Sequence, residues 1–428
     1  MSTEGDTDAV SDNAHYRSYE VYQRERVGQT TNLIRPRQLI GDDFRDDPYP
    51  LLSILRENYP CFRDWVSNRF WITRYDDVTS VLADTANYAV RPRRSTYPTG
   101  LVGRSLWNEL DITFAVQRRI DAASDHIAAR VVDAVRRESD LAVGLATGTV
   151  VHAMAEVLDV DDATALEIWT TTWAAQQGAG WEPAAIVRGR HALVDLATLF
   201  DRLLGERRGG DGDDMISVAA RMVVDGSAVT GRDMATTMLE ADLETLHGGL
   251  ANMWFHLLTQ RSQLAQVIDE PRLMKFAWLE TLRHSAPVLG APRWARHEVE
   301  RFGRLIPEGA LVFCSAAAAN RDPRAFTDPD TFDILRSDLC QREPRGQYRA
   351  DGLPSGISIG TGLPSRWPAE PRERPRSAYA LVRDLAVRVS LELTAAEPHI
   401  QLADGHTPVL RSHRLGEMHT CHRLQVAL

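Results

Sequence analysis

From Asp111 to Gly249 apolar residues return at three- and four-residue intervals, as in DHIAARVVDAVRR and HALVDLATLFDRLLGERR. That spacing gathers Val, Ala, Leu and Phe on one face of a helix, so the stretch must fold as successive amphipathic helices around a shared core. The turn-rich, charged segment RRGGDGDD, Arg207 to Asp214, interrupts the run. A new helix is predicted to start at Thr230 or Asp233, where small polar side chains can cap it. It is predicted to run past Leu258 as one long central helix of roughly 25 to 30 residues, or about 40 Å. A helix of that length must cross the middle of the fold.

The remainder is more mixed. PYPLLSILRENYP has apolar residues at helical spacing. RFWITRYDDVTSVL, Arg69 to Leu82, begins as a β-like alternation and passes through Asp-Asp into a helix. Arg272 to His284 and Ser377 to Leu393 read as further helices. The pieces from Arg293 to Val299 and from Ala310 to Cys314 read as strands around the turn Ile306-Pro307-Glu308-Gly309. His413 to Val426 also reads as β. Prolines, glycines and arginines dominate Asp322 to Pro375, which disfavours long regular elements there. The expected class is therefore mainly α with a smaller β region, an α+β arrangement. Residues 1–30 are expected to be a disordered polar tail and residues 31–428 a single domain.

Charge narrows the partners. A formal net charge of -10 argues against a nucleic-acid footprint or an anionic membrane surface. No run of about 18 apolar residues is present, and the polar, acidic start lacks the features of a signal peptide. A cytoplasmic location is the expectation. Cys61, Cys314, Cys340 and Cys421 show no metal-ligand spacing and read as buried thiols, so no metal is expected.

Several short segments occur in a fixed order. Glu280-Thr281-Leu282-Arg283 is an E-x-x-R; Arg293 opens RWARHEVE; Ile306-Pro307-Glu308-Gly309 and Ala319-Asn320-Arg321-Asp322-Pro323 follow. FTDPDTFDILR ends at Arg336, and DPYPLLSILRENYP lies near the N-terminus. In order and spacing these resemble the bacterial cytochrome P-450 family, over roughly Asp47 to Leu428. The resemblance implies that family's fold, with Glu280, Arg283 and Arg336 in a buried ion-pair network of structural importance. It also implies that Arg293 and Arg119 would meet haem propionates if haem binds. At the early H-x-x-x-R position, DITFAVQRR keeps Arg119 but has Ala115 in place of His.

One part of the pattern is missing. The family's loop reads F-G-x-G-x-H/R-x-C-x-G, and its Cys thiolate ligates the iron and promotes O–O cleavage. Anchoring on Gly360-Thr361-Gly362 puts Arg366 at the Cys position; anchoring on Leu381-Val382-Arg383 puts Arg376 there. No Cys lies anywhere from Gln341 to Thr420. Arg stays protonated and offers no lone pair to a metal. Haem is therefore expected to be absent, with no other cofactor in its place.

Ala241-Asp242-Leu243-Glu244-Thr245-Leu246 resembles the family's A-G-x-D/E-T-T on the central helix. Glu244 and Thr245 remain, Asp242 replaces the Gly, and His247 follows. These four are the candidate catalytic residues if the chain is an enzyme, as acid–base groups; a polar groove in the helix is the favoured structural reading.

The resemblance implies three functions. The first is a haem-free auxiliary partner of a biosynthetic enzyme, such as a glycosyltransferase, in bacterial natural-product metabolism. The second is a haem-independent enzyme using the old pocket for cyclisation, elimination or isomerisation of a natural product. The third is a monooxygenase with an atypical ligand. Trp169, Trp173 and Trp181 are candidates for a partner surface, although helical spacing makes Trp169 and Trp173 core residues.

Overall fold

The helical periodicity is realised in the structure, a computed structural model that describes residues 34–59, 61–89, 99–178, 183–338, 378–413 and 417–428. Helix α1 is Tyr49–Asn58, followed by strands β1 (Phe62–Asp64) and β2 (Arg69–Ile72), helix α2 (Tyr75–Ala83) and strand β3 (Tyr88–Ala89). The helical body comprises α3 (Leu110–Arg137), α4 (Gly148–Leu158), α5 (Asp162–Gln177), α6 (Pro183–Arg207) and α7 (Met215–Arg221). In α3 the buried residues Ile112, Val116, Ile120, Ile127, Val131 and Val135 fall four or seven apart and form one stripe. Asp161 caps α5 by accepting a hydrogen bond from the Thr164 amide at 2.7 Å.

The central helix differs from expectation. It starts where predicted, with Thr230 as cap and Asp233 completing a reciprocal capping box. It is not continuous, however: α8 covers Gly231–Leu239 and α9 covers Leu243–Thr259. Asp242 between them has φ 54 and ψ 28, a left-handed conformation that ends the hydrogen-bond ladder. Asp enters that region more easily than most side chains. The Thr245 hydroxyl donates to Asp242 Oδ1 at 2.7 Å, which fixes the turn from the following helix.

Helices α10 (Arg261–Asp269) and α11 (Met274–His284) follow. The next strands are β4 (Ala291–Ala295), β5 (Val299–Arg301), β6 (Arg304–Ile306) and β7 (Leu311–Cys314). A five-stranded sheet runs in the order β1-β2-β7-β4-β3, with β2 and β7 parallel and the other pairs antiparallel. Its register sets Trp71 beside Phe313 and Ile72 beside Cys314. The last helix, α12, is Ala378–Ala396, and a hairpin of β8 (Leu410–His413) and β9 (Met418–Cys421) packs on α9.

Three residues of α9 permit close packing on the hairpin, on Pro287 and on α11. A Cβ on Gly248 would lie 2.6 Å from Thr420 and 2.7 Å from Pro287, and one on Gly249 would lie 2.5 Å from the Trp278 ring. Asn252 then satisfies all its amide chemistry in the interior. It donates to the carbonyls of Ser285 (2.8 Å) and His419 (2.9 Å) and accepts from the Cys421 amide (3.0 Å). The architecture is mainly helical with a smaller β region.

Candidate functional site

The four candidate residues lie at the helix break, but they do not share one environment. Glu244 and Thr245 are buried on the first turn of α9. Asp242 is the residue at the break, bonded to Thr245. His247 points toward α5. Its Nε2 lies 3.1 Å from the Thr147 hydroxyl, and its ring packs 5.6 Å from Trp169 and 5.9 Å from Trp173. Burial pushes its pKa down to about 4, against the Ala142 carbonyl, which favours the charged form. The imidazole is neutral at physiological pH. Trp169 and Trp173 thus serve the interior, and Trp181 lies outside the described residues.

Beside the break is a cavity of about 130 Å³. Ala241, Leu243 and Leu246 form part of its wall, whereas Asp242, Glu244, Thr245 and His247 do not.

The residues expected to meet haem divide. The Arg119 side chain donates to the Glu156 carbonyl at 2.8 Å and pairs with Asp159 (3.2 Å) and Asp213 (3.3 Å). It is committed to the protein. Arg293 on β4 is 5% exposed, and burial pushes its pKa down. Its guanidinium donates to the neighbouring Pro292 carbonyl at 2.9 Å, and among the described residues no carboxylate pairs with it. A buried cation of this kind suits a buried anion. The thiolate is a different matter. Burial pushes Cys61, Cys314 and Cys421 up to about 12, so each is a protonated thiol. Cys340, Arg366 and Arg376 lie outside the described residues. The described residues therefore do not fit a thiolate-ligated haem, and Arg293 alone suits one of that group's acidic arms.

The E-x-x-R residues converge. Arg283 holds Glu280 through two bonds of 2.7 Å and donates to the carbonyls of Asn320, Pro329 and Thr331. Arg336 reaches Glu280 at 3.1 Å and Asp338 at 2.6 Å. Glu280 also accepts the Asp333 amide at 2.9 Å. All three are buried. This sealed network pins the chain from Asn320 to Arg336 to α11.

Sequence reasoning missed a second polar cluster. The Ser285 hydroxyl lies 2.7 Å from His256 Nε2 and 3.0 Å from His284 Nδ1. With His419 and Arg321 these residues line a groove of about 720 Å³ at the far end of α9. His256 is eleven positions beyond Thr245, about 16 Å along the helix. Burial pushes His256 down to about 3 and His419 down to about 4. The pair His284-Ser285 just after the E-x-x-R was the available signal.

Comparison with known proteins agrees with this scaffold. The family model for cytochrome P450 matches residues 268–341, which hold the E-x-x-R and Arg336. The cytochrome P450 monooxygenase PikC of Streptomyces venezuelae is 29% identical over 328 residues, 69% of this chain and 77% of PikC. Two solved structures share the fold. The cytochrome P450 PksS of the Bacillus subtilis 168 bacillaene polyketide synthase superposes with a TM-score of 0.70 at 19% identity, covering 92% of this chain and 100% of PksS. P450BioI, solved in complex with an acyl carrier protein ligated to hexadec-9Z-enoic acid, gives 0.71 at 20% identity over 90% and 99% of the two chains. The chain belongs to the cytochrome P450 superfamily. Among the described residues no single helix is long and apolar enough to cross a membrane.

Proposed function

We propose that this chain is a P450-fold protein of bacterial secondary metabolism that works without thiolate-haem chemistry, as an auxiliary partner of a biosynthetic enzyme such as a glycosyltransferase. One observation carries this reading: from Gln341 to Thr420 the sequence has no Cys to serve as the ligand, while the Glu280–Arg283–Arg336 network that holds the scaffold is intact. When a scaffold is kept and its reactive ligand is lost, shape is what remains in use. An acid–base enzyme acting in the cavity would need Asp242, Glu244, Thr245 or His247 on its wall, and none is there. The P450BioI complex supports the partner class, since that P450 presents a surface to a second protein.

A second reading, an anionic cofactor held without a thiolate, rests on the buried Arg293. One experiment separates the two. The protein is purified after haem-supplemented expression, and its absorbance and iron content are measured on the same sample. The auxiliary reading expects neither a Soret band nor iron, and expects a co-expressed biosynthetic enzyme to gain activity. A stoichiometric Soret band without a thiolate-type shift under carbon monoxide supports the second reading. A band with that shift overturns both and returns the chain to the monooxygenases.

A further inference from the structure

The cavity beside the helix break lies where α3, α4, α7, α12 and the two halves of the central helix meet. Its wall includes Trp107, Met154, Met215, Met238, Leu246 and Leu385. We propose that it is a binding site for a small, uncharged aromatic molecule of about benzene to toluene size.

Size is the first argument. Protein interiors leave few voids larger than a water molecule, because each wall atom facing a gap loses its contacts. This gap is partly enclosed and about 130 Å³. An apolar cavity of about 150 Å³ stays dry and takes up benzene.

Polarity is the second. Among the described residues of the wall, the two polar side chains are already engaged. The Trp107 indole N–H donates to the Thr237 carbonyl at 2.8 Å. The Thr113 hydroxyl donates to the Leu110 carbonyl at 3.0 Å. A ligand with a hydroxyl or a charge would lose its water and gain nothing.

The third argument concerns shape and surface. Met154, Met215 and Met238 come from three different helices, α4, α7 and α8, and put three thioethers around one space. Methionine adapts to irregular gaps, and its sulfur makes favourable contacts with aromatic rings. This selects an aromatic ring over an alkane of equal size. Among the described residues, neither Arg119 and Arg293 nor Asp242, Glu244, Thr245 and His247 lie on the wall, so the site is distinct from those groups.

The test uses full-length protein carrying ¹³C-methyl methionine, titrated with toluene and, separately, with phenol, which adds one hydroxyl to a ring of similar size. Toluene is expected to shift the Met154, Met215 and Met238 methyl resonances saturably, with phenol at least tenfold weaker. Ala153→Leu, which fills the space from α4, is expected to weaken toluene at least tenfold. Unmoved methyls at the solubility limit of toluene overturn the proposal. Equal affinity for phenol, or unchanged toluene affinity in A153L, also overturns it. Should A153L fail to fold, xenon under pressure on the wild-type protein decides: shifts at the same three methyls support the site, and their absence refutes it.

Discussion

The substitution Glu280→Gln keeps the side chain's shape and removes one negative charge from the most enclosed ion network among the described residues. Glu280 and Arg283 are both 0% exposed and Arg336 is 9% exposed. Two guanidiniums converge on this carboxylate, and neither can shed its proton. The glutamine side chain would retain a carbonyl for the Asp333 amide but would turn an amide N–H₂ toward one of the cations. Removing one partner of a buried ion pair costs about 3–5 kcal/mol. Asp338 still holds Arg336 at 2.6 Å, and three backbone carbonyls still accept from Arg283, so the lower end of that range is expected. Against a typical total of about 5–15 kcal/mol, this is a large fraction. Urea unfolding followed by circular dichroism should show the midpoint falling with an unchanged slope. A loss below about 1 kcal/mol, the net worth of one ordinary hydrogen bond, would refute the reasoning, because it would mean that the carbonyls and Asp338 compensate both cations unaided.

Three further outcomes are expected. Asn252→Leu leaves the Ser285 and His419 carbonyls and the Cys421 amide buried without their partner, at about 1–3 kcal/mol per group; native-state hydrogen exchange at the Cys421 amide should accelerate, and retained protection would count against the clamp. Gly249→Ala puts a methyl 2.5 Å from the Trp278 ring and should cost about 1–3 kcal/mol, read as a lower melting temperature with altered Trp278 fluorescence. Stability should fall as pH drops from about 6.5 toward 4, because burial depresses the pKa values of His247, His256 and His419 in the folded state while the unfolded chain takes up protons first. Each histidine contributes a slope of about 1.4 kcal/mol per pH unit in that window. A melting temperature flat from about pH 5 to 7, or one that His419→Gln does not flatten, would contradict this.

Much of the scaffold was legible because it rests on local rules. The spacing in α3, the cap at Thr230 and the E-x-x-R each carry their own chemistry within a few residues. The break at Asp242 was not legible, because apolar periodicity continues across it from Met238 to Leu246 and the decisive variable is one backbone angle. The partners of Arg119 were hidden for a different reason. Its side chain could have served a ligand, but Asp159 and Asp213, some 40 and 94 positions later, take it up. Nothing in a linear pattern reports such distant partners. The cavity at the break was invisible for the same reason, since its wall is drawn from helices scattered between residues 107 and 385.

The Asn252 clamp also sets an order of events during synthesis. Its partner at Cys421 leaves the ribosome 169 residues later. At about 5–20 residues per second, that is a delay of roughly 8 to 34 s. Throughout that interval Gly248 and Asn252 of α9 lack the strand that covers them, while α3 to α7 are free to assemble. The nascent chain therefore carries an open seam along its central helix until Cys421 has emerged. That seam is where a chaperone would be expected to engage, and where a premature stop would leave the protein unable to close.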